Sequence, residues 1–201
     1  MTRSVFRFFS RQSSPVELAG DRLYLRMPKI SDYRAWQKVR GESRAFLQPW
    51  EPKWRPDELS GSAYRARINR YEQEYEAGQS IALFIFERES DELLGGITIG
   101  LIRRGVAQSC MIGYWMGERH AGRGHMSRTL DLVIPHIFGP LELHRIEAAC
   151  IADNTRSIRL LEKAGFQQEG FLRGYLKING EWRDHVMYAL LESDRNRNRK
   201  A

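Results

Sequence analysis

The chain has 201 residues, of which 42% are hydrophobic, and it carries a formal net charge of +7. This length and composition suit one globular domain, and no apolar run is long enough to cross a membrane, which argues against a transmembrane protein. The positive charge is compatible with acidic or nucleic-acid partners, although a solvated basic surface is the preferred explanation.

Hydrophobic periodicity and turn residues predict about seven strands and about four helices. Asn154 is a natural N-cap for the last helix, and Asn179-Gly180 is a strong hairpin signal between the last two strands. In chain order we expect a strand at 22–27, helices at 33–39 and 57–77, strands at 81–87, 93–103 and 106–116, a helix at 126–137, a strand at 144–151, a helix at 154–164, and strands at 166–178 and 182–191. The sum is a mixed α/β (α+β) domain.

The expected organisation is an extension at 1–19, one domain at 20–192 and a basic tail at 193–201. Residues 1–14 contain Arg, Phe and Ser but no acid, a composition that an organelle transit segment shares. A short surface extension is the preferred interpretation. We expect the tail to be disordered.

The cysteines and histidines of the chain do not indicate a disulfide or a metal site. Cys110 and Cys150 lie in apolar segments, so we expect buried free thiols in a reducing, cytoplasmic compartment, with a disulfide as the alternative. The histidines lack the spacing of metal ligands, so no metal is expected.

The most informative motif is the turn at 119–124, which follows a predicted strand and precedes a helix. Its glycines, Gly122 and Gly124, let the backbone turn tightly and approach a ligand closely. The first N–H groups of a helix lack internal partners and lie at the positive end of its dipole. The turn therefore predicts a phosphate-binding loop.

Together with the segments at 153–157 and 161–166, this turn resembles the GNAT superfamily of acetyl-coenzyme A-dependent N-acetyltransferases. Arg119-x-x-Gly122-x-Gly124 matches the Q/R-x-x-G-x-G/A coenzyme motif of that family. Shorter segments at 48–52, 113–114, 179–185 and 187–188 are similar to the RimJ/RimL branch, whose members acetylate the N-terminal amine of ribosomal proteins. The resemblance implies a single GNAT-type domain with a central, mostly antiparallel mixed sheet flanked by helices.

The resemblance implies that acetyl-CoA binds through main-chain amides. Those at the end of the central strand would contact the pantetheine and the thioester oxygen, and those of the turn would hold the diphosphate. The residues assigned to acetyl-CoA in this way are Tyr114, Trp115, Met116, Arg119, His120, Ala121, Gly122, Arg123, Gly124 and His125. Asn154 is added because it begins the second motif, a short helix that in the family lies beside the pantetheine arm.

For catalysis, the resemblance favours Glu169 as a base that acts through water, and Ser157 as a group that polarises the thioester or assists the leaving thiolate. A solvated charge and a helix-capping residue are the respective alternatives. Other branches place a tyrosine acid at the position of Leu161 and a glutamate base at that of Ala149, and neither residue can serve. Glu147 and Tyr175 remain spare candidates.

The resemblance to the RimJ/RimL branch places the acceptor site at Trp50 and Glu51, with Tyr175 added. An aromatic ring there could cover a peptide side chain, and a carboxylate could hold an ammonium group. The alternative is a proline-rich loop that packs its tryptophan on the core.

The predicted reaction is direct attack of a primary amine on acetyl-CoA, and the favoured acceptor is the N-terminal α-amine of a ribosomal protein. Alternatives are a small-molecule amine as acceptor, or a ribosome- or RNA-binding module with secondary acetyl chemistry. The expected partner is an acceptor N-terminus, with ribosome association as an option and no membrane. The oligomeric state is open between monomer and homodimer.

Overall fold

The computed structural model describes residues 16–194, so the first 15 residues and residues 195–201, with most of the predicted extension and tail, lie outside it. Within this range the strands are β1 (Glu17–Ala19), β2 (Leu23–Arg26), β3 (Ile81–Glu87), β4 (Leu93–Arg103), β5 (Ser109–Met116), β6 (Arg145–Ile151), β7 (Gln167–Ile178) and β8 (Glu181–Leu191). The α-helices are α1 (Tyr33–Glu42), α2 (Arg44–Leu47), α3 (Gly61–Glu76), α4 (His125–Phe138) and α5 (Thr155–Lys163), and 3-10 helices lie at Ile30–Asp32, Gln48–Trp50 and Glu118–His120.

The eight strands form one sheet in the order β1-β2-β3-β4-β5-β6-β8-β7. Every neighbouring pair is antiparallel except β5 and β6, which run parallel. This confirms the predicted mixed, mostly antiparallel sheet. One strand more than predicted is present in the described range, because β1 pairs with β2 and the sheet begins before the expected domain start at Gly20.

The helices differ from the prediction at two places. The short helix α2 was not predicted, and α3 begins at Gly61 rather than at residue 57. The later start has a local cause, since the Ser60 side chain accepts a hydrogen bond from the Ala63 N–H at 3.1 Å and so acts as the N-cap.

Helices cover both faces of the sheet, and each face has its own core. On one face the apolar side of α4 and Leu161 of α5 pack against β3 to β6 and β8. On the other face Trp36 of α1 and Tyr64 of α3 pack with Phe84, Phe86 and Leu93. Both cysteines are buried free thiols, as predicted.

The parallel strands β5 and β6 separate soon after they meet. Their register runs only from Ser109–Arg145 to Met111–Glu147. Beyond this point β5 continues to Met116 and β6 to Ile151 without pairing to each other. The result is a gap in the middle of the sheet, open at the carboxyl ends of both strands, which leaves the facing main-chain groups of β5 without sheet partners.

Candidate active site

A glycine loop, defined as residues 119–124, connects the end of β5 to α4. Gly122 has a φ of 75° and Gly124 a φ of 78°, the left-handed region that favours glycine. Gly124 is the N-cap of α4, and as a glycine it has no side chain to accept a hydrogen bond from the first turn of that helix. A Cβ on Gly122 would meet no atom within 4 Å, so the loop leaves open space beside its main chain. The predicted turn thus presents helix N–H groups to an anion.

Two side chains of the glycine loop, those of Arg119 and His120, lie against carboxylates outside it. Arg119 Nη1 lies 3.6 Å from Glu42 Oε2, and buried His120 has Nε2 3.6 Å from Glu92 Oε1. Burial is the main cause that lowers the pKa of His125, which favours a neutral imidazole at neutral pH. What the loop offers a ligand is therefore chiefly its main chain.

The gap between β5 and β6 is bridged by three side chains, which we name the hydroxyl cluster: Tyr114, Cys150 and Ser157. Ser157 Oγ lies 2.6 Å from the Tyr114 hydroxyl and 3.1 Å from Cys150 Sγ. The Ser157 N–H donates to Asn154 Oδ1 at 3.2 Å, so Asn154 is the helix cap, as predicted. The Ser157 hydroxyl makes its hydrogen bonds to Tyr114 and Cys150, and its catalytic role stays a prediction.

Glu169 lies apart from this cluster, on the exposed strand β7. Its carboxylate accepts hydrogen bonds from both Arg145 Nη atoms, that from Nη1 at 3.1 Å, and this pairing lowers the pKa of Glu169. Within residues 16–194, no hydrogen bond or ion pair joins Glu169 to Ser157. Glu147 is engaged in the same way, since it accepts from Arg145 Nε at 2.9 Å and also pairs with Arg103.

Glu51 belongs to a second group, which we name the arginine cluster: Arg40, Glu51, Trp54 and Trp115. Arg40 Nη1 and Nη2 donate to Glu51 Oε1 and Oε2 at 2.7 and 2.6 Å, and Trp54 Nε1 donates to Oε2 at 2.8 Å. The guanidinium carbon of Arg40 lies 4.5 Å from the ring centre of Trp54 and 5.0 Å from that of Trp115. Glu51 is thus a paired carboxylate held near Trp115, at the carboxyl end of β5.

The turn of the β7–β8 hairpin contacts the segment that carries Glu51. The Asn179 N–H donates to the Glu51 carbonyl at 2.8 Å, and Gln48 Nε2 donates to Asn179 Oδ1 at 3.3 Å. Trp50 is 39% exposed, so it is not packed in the core. Tyr175 contacts the His185 ring edge-on, with ring centres 5.6 Å apart, and has no hydrogen bond to Glu51 in the described part of the chain.

Three features of the site were missed from sequence. Arg40 and Trp54 were not predicted to hold Glu51, although the tryptophan lies only three residues after it. Gly96 was not predicted to make room for Trp115, whose Nε1 would lie 2.6 Å from a Cβ at that position. The Tyr114 side chain was overlooked because only its backbone was assigned a role. The available signal for the packing of Trp115 was Gly95-Gly96, which lies in the strand before the one that contains this tryptophan.

The family model of the acetyltransferase (GNAT) domain matches residues 22–167, which is most of the sheet, the glycine loop and the hydroxyl cluster. The chain belongs to the GNAT acetyltransferase family. As predicted, it is an acetyl-CoA-dependent N-acetyltransferase.

Curated relatives of this GNAT protein span nearly its whole length. A probable N-acetyltransferase, YjcK, of Bacillus subtilis is 35% identical over 88% of this chain and 98% of the relative. The [ribosomal protein uS5]-alanine N-acetyltransferase of Escherichia coli is 33% identical over 89% of this chain and 92% of the relative. Among solved structures, Mycobacterium smegmatis RimJ in complex with CoA-disulfide is 30% identical, covers 90% of this chain and 89% of its own, and has a TM-score of 0.85. The resemblance to the RimJ/RimL branch is confirmed.

The described part of the GNAT domain was expected to bind no metal and to lie outside the membrane. Within residues 16–194, no group of three or more His, Cys, Asp or Glu side chains is arranged to hold a metal ion. In the same range, the helices are too short or too polar for any of them to traverse a bilayer.

Proposed function

We propose that this acetyltransferase modifies the N-terminal α-amine of a ribosomal protein. The observation that carries the proposal is the 33% identity to the Escherichia coli uS5-alanine acetyltransferase, which extends over 89% of this chain. A similarity confined to the coenzyme-binding segments would support acetyl transfer alone. This one extends over 89% of the chain, and so reaches well beyond those segments, to the 48–54 loop that lies against the β7–β8 turn.

The chemistry of the site supports an α-amine acceptor. An amine must lose a proton before it attacks a thioester, and an α-amine has a reference pKa near 8, against about 10.4 for lysine. Each carboxylate that we singled out near the site, namely Glu51, Glu147 and Glu169, is already paired with an arginine. The pairing with Arg145 lowers the pKa of Glu169 and weakens it as a base, so an acceptor that deprotonates readily suits this site better than a lysine does.

The residues of the chain fit acetyl-CoA as co-substrate. The main chain of the glycine loop would bind the diphosphate, and the space beside Gly122 admits it. Beyond Met111, the main-chain amides of β5 that do not face β4 would bind the pantetheine arm and the thioester oxygen, and the sequence places this contact at Tyr114, Trp115 and Met116. Asn154 holds the first turn of α5, and Ser157 would act on the leaving thiolate. The coenzyme supplies a thioester-activated acetyl group.

On the acceptor side, Trp50 and Tyr175 remain proposed contacts for the acceptor peptide. The paired carboxylate of Glu51 would accept a hydrogen bond from the acceptor amine as a fixed dipole rather than as a free negative charge, because Arg40 neutralises it. Glu169 stays the sequence-based prediction for the base, and its test is given in the Discussion.

A peptide panel tests the proposal. The protein is incubated with acetyl-CoA and peptides that begin with Ala, Ser or other residues, each in a free and an N-terminally blocked form with one internal lysine, and mass spectrometry locates the added acetyl group. We expect acetylation of free N-termini and none of the blocked peptides. Transfer only to lysine side chains or to small amines such as polyamines and amino sugars would refute the assignment and leave the acetyltransferase class intact.

A further inference from the structure

The Tyr114 hydroxyl has no role in the proposed function, yet it makes the shortest contact in the hydroxyl cluster. It lies on β5 beyond the last residue that pairs with β6, and its oxygen is 2.6 Å from Ser157 Oγ. The Cys150 thiol reaches the same serine oxygen from β6 at 3.1 Å. The serine therefore receives one neighbour from each side of the gap.

A hydrogen count shows what these two neighbours do to Ser157. A serine hydroxyl has one hydrogen to donate and two lone pairs that accept. Tyr114 and Cys150 each carry one hydrogen, and burial is the main cause that raises the pKa of both groups, so both keep their hydrogens at neutral pH. If both donate to Ser157, the two serine lone pairs are filled and the serine hydrogen is left for a third group.

We propose that Tyr114 is a positioning residue that donates its phenolic hydrogen to Ser157 Oγ, so that the serine hydrogen is directed at the sulfur of the acetyl donor. The inference rests on the proposed function, in which Ser157 faces the leaving thiolate. It also explains how this chain manages without a tyrosine at position 161, where fully buried Leu161 has no proton to give.

The proposed step accounts for every bond, electron pair and proton. The amine nitrogen forms a bond to the acetyl carbonyl carbon, the carbon–sulfur bond breaks, and its electron pair goes to sulfur. Ser157 gives its proton to that sulfur, Tyr114 gives its proton to Ser157, and solvent returns one to Tyr114. The acceptor nitrogen releases protons to water, so that acetyl-CoA and an ammonium group yield an amide, CoA and one proton, with no oxidation or reduction.

The first test compares two tyrosines whose hydroxyls both make hydrogen bonds to side chains of α5. Tyr114→Phe removes the hydroxyl at Ser157, and Tyr188→Phe removes a hydroxyl that donates to Glu162 of the same helix at 3.1 Å. With a peptide acceptor, we expect Tyr114→Phe to lower the single-turnover rate roughly tenfold, with the acetyl-CoA KM within twofold of wild type, as for loss of one charge-assisted hydrogen bond in the transition state. Tyr188→Phe should change neither parameter more than twofold.

Solvent isotope effects separate this role from a merely structural one. If both the serine and the tyrosine proton move in the rate-limiting step, a plot of the rate against the D2O fraction of the solvent is curved. If only one proton moves, the plot is a straight line. We expect curvature in wild type, a straight line in Tyr114→Phe, and no further loss when Tyr114→Phe is added to Ser157→Ala. Unchanged curvature in Tyr114→Phe, or a full additional loss in the double variant, would overturn the proposal.

A second measurement needs no acceptor and so stands apart from the proposed function. The thiol of bound CoA is titrated by the absorbance difference between the CoA complex and the free protein. A directed serine hydrogen stabilises the thiolate, so we expect Tyr114→Phe to lower the acid dissociation constant of the bound thiol by about tenfold relative to wild type. Equal constants in both proteins would refute the role of Tyr114, whereas failure of every peptide to be acetylated would count against the proposed function alone.

Discussion

The two halves of the active site are built from different parts of the chain. In the proposed site the glycine loop would bind through consecutive main-chain amides, while its Arg119 and His120 side chains lie against Glu42 and Glu92. The arginine cluster is the opposite case, since side chains from α1, the 48–54 loop and β5 meet in one place. One half depends on the absence of side chains, and the other depends on their identity.

This difference decides how each half responds to substitution. A main-chain site tolerates changes of side chain but not an added Cβ where the ligand must approach. A cluster of paired side chains tolerates no change in the planar, bidentate partner, because Arg and Lys differ in geometry and stacking. Substitutions in the two halves should therefore affect different substrates.

The largest effect is expected at Gly122. Gly122→Val places a branched side chain beside the main chain that would hold the diphosphate, at a φ of 75°. Loss of one or two charge-assisted hydrogen bonds should raise the acetyl-CoA KM on the order of 10- to 100-fold. Steady-state kinetics at saturating acceptor, with calorimetric titration of CoA, measure it.

The matched control is Gly105→Val, in the turn between β4 and β5. Gly105 has a φ of 67° and, like Gly122, would meet nothing within 4 Å, so both substitutions cost similar backbone strain. We expect Gly105→Val to leave the acetyl-CoA KM within twofold of wild type. Equal effects of the two valines on CoA affinity would show that strain, rather than loss of the binding surface, is the cause.

A smaller and different effect is expected at Arg40. Its side chain is 7% exposed, and Arg40→Lys keeps the charge but loses the two-pronged pairing with Glu51 and the stacking between the tryptophans. We expect kcat/KM for the acceptor peptide to fall about tenfold, near 1.4 kcal/mol, with the acetyl-CoA KM unchanged within twofold. Initial rates with each substrate varied in turn provide the measurement.

Arg67→Lys serves as its control, because Arg67, on α3, pairs with Glu58 and lies over the ring of Trp36 on α1 rather than over Trp54 or Trp115. Both variants should lose comparable stability in urea unfolding. If Arg67→Lys impaired the acceptor as much as Arg40→Lys, or if Arg40→Lys impaired acetyl-CoA instead, the division of the site into two halves would be wrong.

The fold was largely predictable because its signals are local. Asn154 caps α5 and Asn179-Gly180 forms the β7–β8 turn, and each acts within a few residues of its position. The elements that were missed are short. The three residues of β1 and the four of α2 contain too little periodicity to detect, and they exist because of tertiary pairing.

The parts of the site that could be predicted from sequence are those whose residues lie close together in the chain. Six consecutive residues carry the glycine loop, so spacing alone located it. The hydroxyl cluster joins residues 43 apart, and the link from Glu51 to the β7–β8 turn spans 128 positions from Glu51 to Asn179, so no sequence window contains either. Glu169 is an example, because its pairing with Arg145, 24 residues away, could not be predicted from the sequence.

The smallest effect is expected at Glu169, which belongs to neither half of the site. Its carboxylate is 42% exposed and is held by Arg145, which lowers its pKa and its strength as a base. We therefore expect Glu169→Gln to change kcat less than about threefold, and in both proteins kcat/KM for the peptide should rise with pH until the α-amine titrates near pH 8. A Glu169→Gln variant whose rate loss deepens at lower pH would instead support the sequence-based prediction that Glu169 accepts the amine proton through water. The pH profiles of wild type and variant, recorded with one peptide at saturating acetyl-CoA, decide between the two, and Gln is the suitable replacement because it keeps the shape and one acceptor oxygen for Arg145.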